Sequence, residues 1–189
     1  LTRRSRALIL DPTYSEYAHV LEQVVGCRVD RFALDAAAGY RVDPARLATA
    51  LSTGYDLVVL VNPNSPTGAH LDRASLTRVI ASAPASTRFW IAGTSQSCEA
   101  LAAASSNVVV CKSMSKVYAL SGLRAAYLVA PRHLLEGLRA VTPPWAVSLP
   151  AQVAAVAALQ DPAYYAARYA ETAALRRQLA TGLESIGWD

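Results

Sequence analysis

The reactive side chains of this chain are concentrated in one stretch. Only two lysines are present, and both lie in Val108-Val109-Val110-Cys111-Lys112-Ser113-Met114-Ser115-Lys116. Arg124 follows, with Ser121-Gly122 between. An apolar run of this kind reads as a buried strand, so the hydroxyls and lysines fall where the strand gives way to a loop. Serine hydroxyls and an arginine beside a loop supply what a phosphate monoester needs: neutral donors and a fixed bidentate cation. A lysine in such a pocket loses its proton by desolvation and charge repulsion and then attacks a carbonyl as a free amine. A phosphorylated aldehyde held as a Schiff base on lysine satisfies all of these groups at once, and pyridoxal phosphate is such a molecule. The same residues also suit a solvated surface loop with ordinary lysines. Lys112 fits that description; for Lys116 both readings stand.

Two further segments leave apolar runs in the same way. Asn62-Pro63-Asn64-Ser65-Pro66-Thr67-Gly68 follows residues 57–61 and precedes a helical pattern. Its Pro and Asn content gives it a set shape with side chains able to hydrogen-bond, either as a ligand loop or as a tight turn. Asp11-Pro12-Thr13-Tyr14-Ser15-Glu16-Tyr17 follows the first run. There the Tyr14 ring suits stacking on a flat ligand or anchoring a helix start, and Ser15 suits a helix cap.

These segments need elements to position them. Apolar runs at residues 7–10, 57–61, 89–91, 108–111 and 125–129 read as strands buried on both faces. Helical patterns at 15–25, 44–51, 72–82 and 96–104 lie between them. Strands alternating with helices predict an α/β fold, with helices on both faces of a mostly parallel sheet in three αβα layers. Beyond Val129 the pattern is helical, at 132–140, 149–159 and 162 to about 186. Pro143-Pro144 stops the first of these helices and Gly187 ends the last. The last helix carries Tyr164, Tyr165, Tyr169, Leu175, Leu179 and Leu183 at near-helical spacing, a stripe expected to serve packing.

Composition narrows the classes. With 189 residues, 53% hydrophobic and 17% charged, the chain can bury a core. No apolar run approaches the roughly 18–20 residues of a membrane span. No signal segment opens the chain, so a soluble, cytoplasmic protein without a membrane partner is expected. The net charge of +4 is spread over scattered arginines, clustered only at Arg3, Arg4 and Arg6, so no nucleic-acid partner is expected. Three cysteines, with no Cys-x-x-C pair and no spaced histidines, predict no metal site and a reducing compartment.

Taken together, the three segments resemble the fold-type I pyridoxal-phosphate enzymes of the class I/II aminotransferases. The histidinol-phosphate aminotransferase group, which also holds threonine-phosphate decarboxylase-like enzymes, is the part of the family this chain looks most like. Asn62–Gly68 is similar to the family's Asn-Pro-Asn-Asn-Pro-Thr-Gly loop. Ser113-Met114-Ser115-Lys116 with Gly122-Leu123-Arg124 is similar to its Schiff-base segment. The resemblance implies pyridoxal 5′-phosphate as cofactor, with Lys116 as the catalytic Schiff-base residue. It implies that Ser113, Ser115 and Arg124 hold the phosphate and that Tyr14 stacks on the ring. It also implies that Asn64 or Ser65 bonds the 3′ oxygen; the family places its Asn where Ser65 stands. The implied activity is amino transfer between an amino acid and a 2-oxo acid. A decarboxylase, lyase or oxidase on the same fold, or a non-catalytic aminotransferase-like domain, remain as alternatives. The resemblance further implies a homodimer. Pro143–Leu149 is rich in apolar and aromatic residues, and Trp145 there suits either an interface or core packing. Residues 1–145 would form the cofactor-binding large domain. Residues 146–189 would lead toward a C-terminal small domain absent here.

One departure stands out. After Trp90-Ile91 the family continues Asp-Glu-x-Tyr, the acid pairing with the ring nitrogen. Here Ala92-Gly93-Thr94-Ser95 follows, with no acid. Ala92-Gly93 looks like the far side of that segment, so about seven disordered residues are expected to be missing between Ile91 and Ala92.

Overall fold

The computed structural model describes residues 2, 4–93 and 98–188. The chain divides into two compact units, Leu1–Ser113 with Ala126–Pro143, and Met114–Ala125 with Pro144–Asp189.

The first unit is built on a six-stranded sheet in the order β2-β1-β3-β4-β5-β6. The strands are β1 (Arg6–Asp11), β2 (Arg28–Ala33), β3 (Leu57–Val61), β4 (Arg88–Ala92), β5 (Val108–Ser113) and β6 (Ala126–Val129). The first five run parallel, and β6 returns antiparallel beside β5. This is the α/β, mostly parallel sheet that alternating runs and helices predict. Successive side chains on a strand point to opposite faces, and here both faces are covered. Leu8, Leu10, Val58, Leu60, Phe89, Ile91, Val108 and Val110 pack on one side with residues of α2 (Pro44–Leu51) and α3 (Arg73–Ser82). Ala7, Ile9 and Val59 face the other side, against Leu21 and Cys27. Burial on both faces is why these strands read as unbroken apolar runs.

The helices start where side chains satisfy their first free amides. Asp43 accepts from the Ala45 and Arg46 amides ahead of α2, with Pro44 leading the helix. Asp72 accepts from the Ser75 amide ahead of α3. Such a cap is worth about 1 kcal/mol. The predicted helix at 15–25 divides into α1 (Ser15–His19) and a π-helical turn, Val20–Val25. Helix α4 covers Glu99–Ala104. Residues 96 and 97, at the start of the helix expected there, lie outside the described residues. Helix α6 runs Arg132–Val141.

Strand β2 has no counterpart among the predicted runs. It is an edge strand, and its Arg28, Asp30 and Arg31 are polar or charged. Charged edges discourage pairing with other chains, and the same charges hide the strand from an apolar-run search. Asp30 accepts from Arg6 Nε at 2.7 Å and from the Tyr55 hydroxyl at 3.2 Å, tying β2 to β1. Ile91 and Ala92 are consecutive in β4 and pair in register with Leu60 and Val61 of β3 and with Val110 and Cys111 of β5.

In the second unit, α7 (Leu149–Gln160) and α8 (Pro162–Glu184) follow a one-turn helix, α5 (Met114–Val117). Helix α7 buries Ala151 and Ala158 but exposes Leu149, Val153 and Val156. Trp145 is 90% exposed, so it does not serve core packing within this chain. Among the described residues no helix is long and apolar enough to cross a membrane.

The Arg6 guanidinium holds the Asp30 carboxyl below the usual carboxylate range, with a lesser contribution from Tyr55. A lowered folded-state pKa means that the unfolded chain takes up the proton first as pH falls. The stabilisation from Asp30 is therefore complete above about pH 4 and is lost as pH drops through the folded value. Asp30→Asn should lower the urea midpoint at pH 7 and narrow the difference between midpoints measured at pH 7 and pH 3. Phe89 is fully buried; Phe89→Ala should cost about 3–5 kcal/mol in the same assay.

Candidate active site

The loop after β3 is shaped by two buried asparagines. Asn62 donates through Nδ2 to the Leu71 carbonyl at 2.8 Å and accepts from the Leu71 amide at 2.9 Å, closing the loop across its base. Asn64 is 3% exposed. Its Oδ1 accepts from the Thr13 hydroxyl at 2.8 Å. Its Nδ2 donates to the Pro12 carbonyl at 2.8 Å and to Thr67 Oγ1 at 3.1 Å. Its carbonyl accepts from the Gly68 amide at 2.7 Å. Gly68 has φ +69°, a left-handed conformation that glycine adopts without steric penalty. Ser65 is half-buried, and its hydroxyl makes no hydrogen bond among the described residues.

Asn64 thus joins the loop after β3 to the loop after β1, its neighbour in the sheet. In that first loop Tyr14 occupies the N-cap of α1 without a side-chain bond, and Ser15 is the first helical residue. The expected Ser15 cap is absent because the helix begins one residue too early for it. The Tyr14 ring is 44% exposed and meets the Tyr17 ring edge-on, with centroids 6.1 Å apart. Burial raises the Tyr17 phenol above its usual range, so it stays neutral. At the other end of the candidate set, β5 delivers an exposed Ser113 at its last residue. The sheet unit thus carries Tyr14, Asn64, Ser65 and Ser113 at or just beyond the carboxyl ends of β1, β3 and β5.

Lys116, Ser115 and Arg124 belong to the second unit. Met114 is buried; its amide donates to the Ala125 carbonyl at 3.0 Å, and its carbonyl accepts from the Leu120 amide at 3.1 Å. These bonds fold residues 114–125 into a closed loop. Within it Ala119 and Arg124 have φ of +56° and +55°. Side-chain-bearing residues avoid that region, and strain of this kind gathers at functional sites. Lys116 is exposed on α5 and makes no ion pair among the described residues. Arg124 is exposed, with Nη1 donating to the Ser121 carbonyl at 3.4 Å. Ser115 is half-buried.

Helix α8 supplies an anchor that sequence reasoning read only as a packing stripe. The Tyr169 hydroxyl donates to the Val117 carbonyl at 2.9 Å. The Tyr165 hydroxyl donates to the Tyr118 carbonyl at 3.4 Å, and those two rings meet edge-on at 4.9 Å. Tyr164, Leu175 and Leu179 of the stripe are exposed instead. The usable signal was the four-residue spacing of Tyr165 and Tyr169, which puts two hydroxyls on one helix face.

Lys112 departs from the surface-loop reading. It lies within β5, not beyond it, and its side chain is 13% exposed. Its Nζ donates to Glu99 Oε1 at 2.9 Å. The Tyr127 hydroxyl donates to the same oxygen at 2.9 Å, from the residue opposite Lys112 in β6. A half-buried ammonium needs such partners, which gives Lys112 a structural part.

Known proteins are similar to this chain in sequence and in fold. The family model "Aminotransferase class I and II" matches residues 1–189. A histidinol-phosphate aminotransferase of Moorella thermoacetica is 34% identical over 167 residues, 83% of this chain and 42% of that protein. A threonine-phosphate decarboxylase of a Sinorhizobium species is 35% identical over 159 residues, 80% of this chain and 44% of that protein. The chain therefore spans less than half the length of these relatives. The crystal structure of the histidinol-phosphate aminotransferase from Clostridium acetobutylicum shares the fold, with a TM-score of 0.87 and 22% identity, over 97% of this chain and 57% of that one.

The two lysines should separate in a stability assay. Lys112→Ala removes the ammonium that donates to Glu99 Oε1 and should lower unfolding stability by about 1–3 kcal/mol. Lys116→Ala removes an exposed side chain with no ion pair among the described residues and should change it by less than about 0.5 kcal/mol. Urea denaturation of the two variants checks both.

Proposed function

The chain belongs to the class I and II aminotransferase family, and from that premise we propose that it is the cofactor-binding part of a pyridoxal-phosphate enzyme that moves an amino group between an amino acid and a 2-oxo acid. The observation that carries this reading is Lys116. It is one of only two lysines, it stands just beyond a strand of the sheet, and its ammonium is exposed and unpaired among the described residues. When bound, the cofactor supplies an aldehyde carbon that condenses with amines and a ring that withdraws electrons.

The residues fit most of that molecule. Ser113 and Ser115 offer hydroxyl donors, and Arg124 offers a guanidinium suited to a phosphate. Tyr14 presents a partly open ring for stacking. The Ser65 hydroxyl, which has no partner among the described residues, is available for the 3′ oxygen. Lys116 Nζ, which makes no ion pair among the described residues, would carry the proton taken from the substrate's Cα. The fit is incomplete at one place. The end of β4 is Ala92, and neither it nor Gly93 is an acid that can meet the ring nitrogen.

Residues 1–145 form the cofactor-binding domain in this reading, and residues 146–189 the helical region that follows it in the chain. The substrates are small amino and 2-oxo acids. The enzyme works as a cytoplasmic homodimer. The exposed Trp145 suits a subunit interface, and the three cysteines, none of them joined in a disulfide, suit a reducing compartment. A second reading, decarboxylation on the same scaffold, is favoured by the 35% identity to the threonine-phosphate decarboxylase.

Incubation with pyridoxal phosphate followed by borohydride reduction, intact-mass measurement and peptide mapping tests the proposal. One adduct at Lys116 is expected, and none in Lys116→Ala. An unmodified chain, or an adduct at Lys112, would refute it.

A further inference from the structure

We propose that Asn64 is a positioning residue: it aims the Tyr14 ring and does not itself touch the cofactor. This rests on the reading that Tyr14 stacks on that cofactor.

An asparagine side chain has two N–H donors and one acceptor oxygen. In Asn64 both hydrogens are taken, by the Pro12 carbonyl at 2.8 Å and by Thr67 Oγ1 at 3.1 Å. A carbonyl can only accept, so the Pro12 contact fixes which end of the amide is nitrogen. The oxygen accepts from Thr13 Oγ1 at 2.8 Å. No donor is left for a ligand's oxygen, and at 3% exposure the amide is closed to solvent.

Its partners are informative. Pro12 and Thr13 immediately precede Tyr14, so the staple holds the backbone that leads into the ring. The other side is held as well. The Tyr14 carbonyl accepts from the Tyr17 amide at 3.3 Å, and the Tyr17 ring meets the Tyr14 ring edge-on. The Tyr14 ring is therefore set from both directions before any ligand arrives. Ordering of this kind, done in advance, raises affinity because binding no longer has to supply it. A residue that acts this way works only through Tyr14, and that sets it apart from a direct ligand.

A double-mutant cycle on the full chain separates the two roles. Affinity is read by titrating pyridoxal phosphate against tryptophan fluorescence. Asn64→Ala should weaken binding about three- to tenfold, the worth of one net hydrogen bond or slightly more. In a Tyr14→Ala background the same substitution should change affinity less than about twofold. Hydrogen exchange on the cofactor-free protein gives a readout independent of the cofactor. Amides 13–17 should exchange faster in Asn64→Ala, and those of β3 should not. Thr13→Val breaks one of the three bonds and should move both readouts in the same direction by a smaller amount, which keeps the test decisive if Asn64→Ala does not fold. Additive losses in the double variant, or unchanged exchange at 13–17, would overturn the positioning role while leaving a Lys116 adduct intact. Absence of that adduct in the unsubstituted chain would overturn the cofactor reading and this inference with it.

Discussion

Parallel pairing of β1, β3, β4 and β5 obliges every strand to begin at the same edge of the sheet. Between strands the chain must cross a sheet face, and helices do this because they satisfy their own backbone. The loops that leave the strands consequently collect at the carboxyl edge, where open α/β sheets bind ligands. The Tyr14 loop, the asparagine loop and Ser113 are carried there by that rule and not by any attraction among themselves. The apolar core on both faces holds the strands rigid enough for those loops to be placed reproducibly.

Polar groups buried near that edge then define the loops in detail. Asn62 and Asn64 use their side-chain amides as added backbone, meeting carbonyls and amides that the turn leaves unpaired. Each would cost a few kcal/mol if left unsatisfied, so the loop has little freedom to adopt another shape. The Glu99 carboxylate has a comparable part at β5 and β6. It gathers Lys112 from β5 and Tyr127 from β6, and so fixes the strand that delivers Ser113.

The two lysines show how environment assigns roles to identical side chains. They lie four positions apart, yet one is enclosed with a carboxylate and the other stands exposed on a single helical turn. The exposed lysine sits in a loop with two left-handed residues, closed by Met114 and anchored by tyrosines of α8. One departure from the family's pattern, Ala92 at the end of β4, lies within a strand that pairs normally on both sides. The sheet does not depend on an acid at that position, so its absence bears on chemistry and not on folding.

Much of this was already legible in the chain itself. Five of the six strands and the αβα class follow from apolar runs of the right length, and for β1, β3, β4 and β5 the run reflects burial in the core of the sheet. Asn62–Gly68 and Ser113–Arg124 identified the family because their residue types and order are tied to one kind of loop chemistry. Tertiary structure alone decided the rest. Strand β2 carries the charges of an edge, so its strand character shows only in its pairing with β1. The pairing of Lys112 depends on a carboxylate 13 residues away. The three bonds that occupy the Asn64 amide include partners 51 and 52 residues away. Local sequence sets what a side chain is able to do, and contacts across the fold determine which of those abilities are already used.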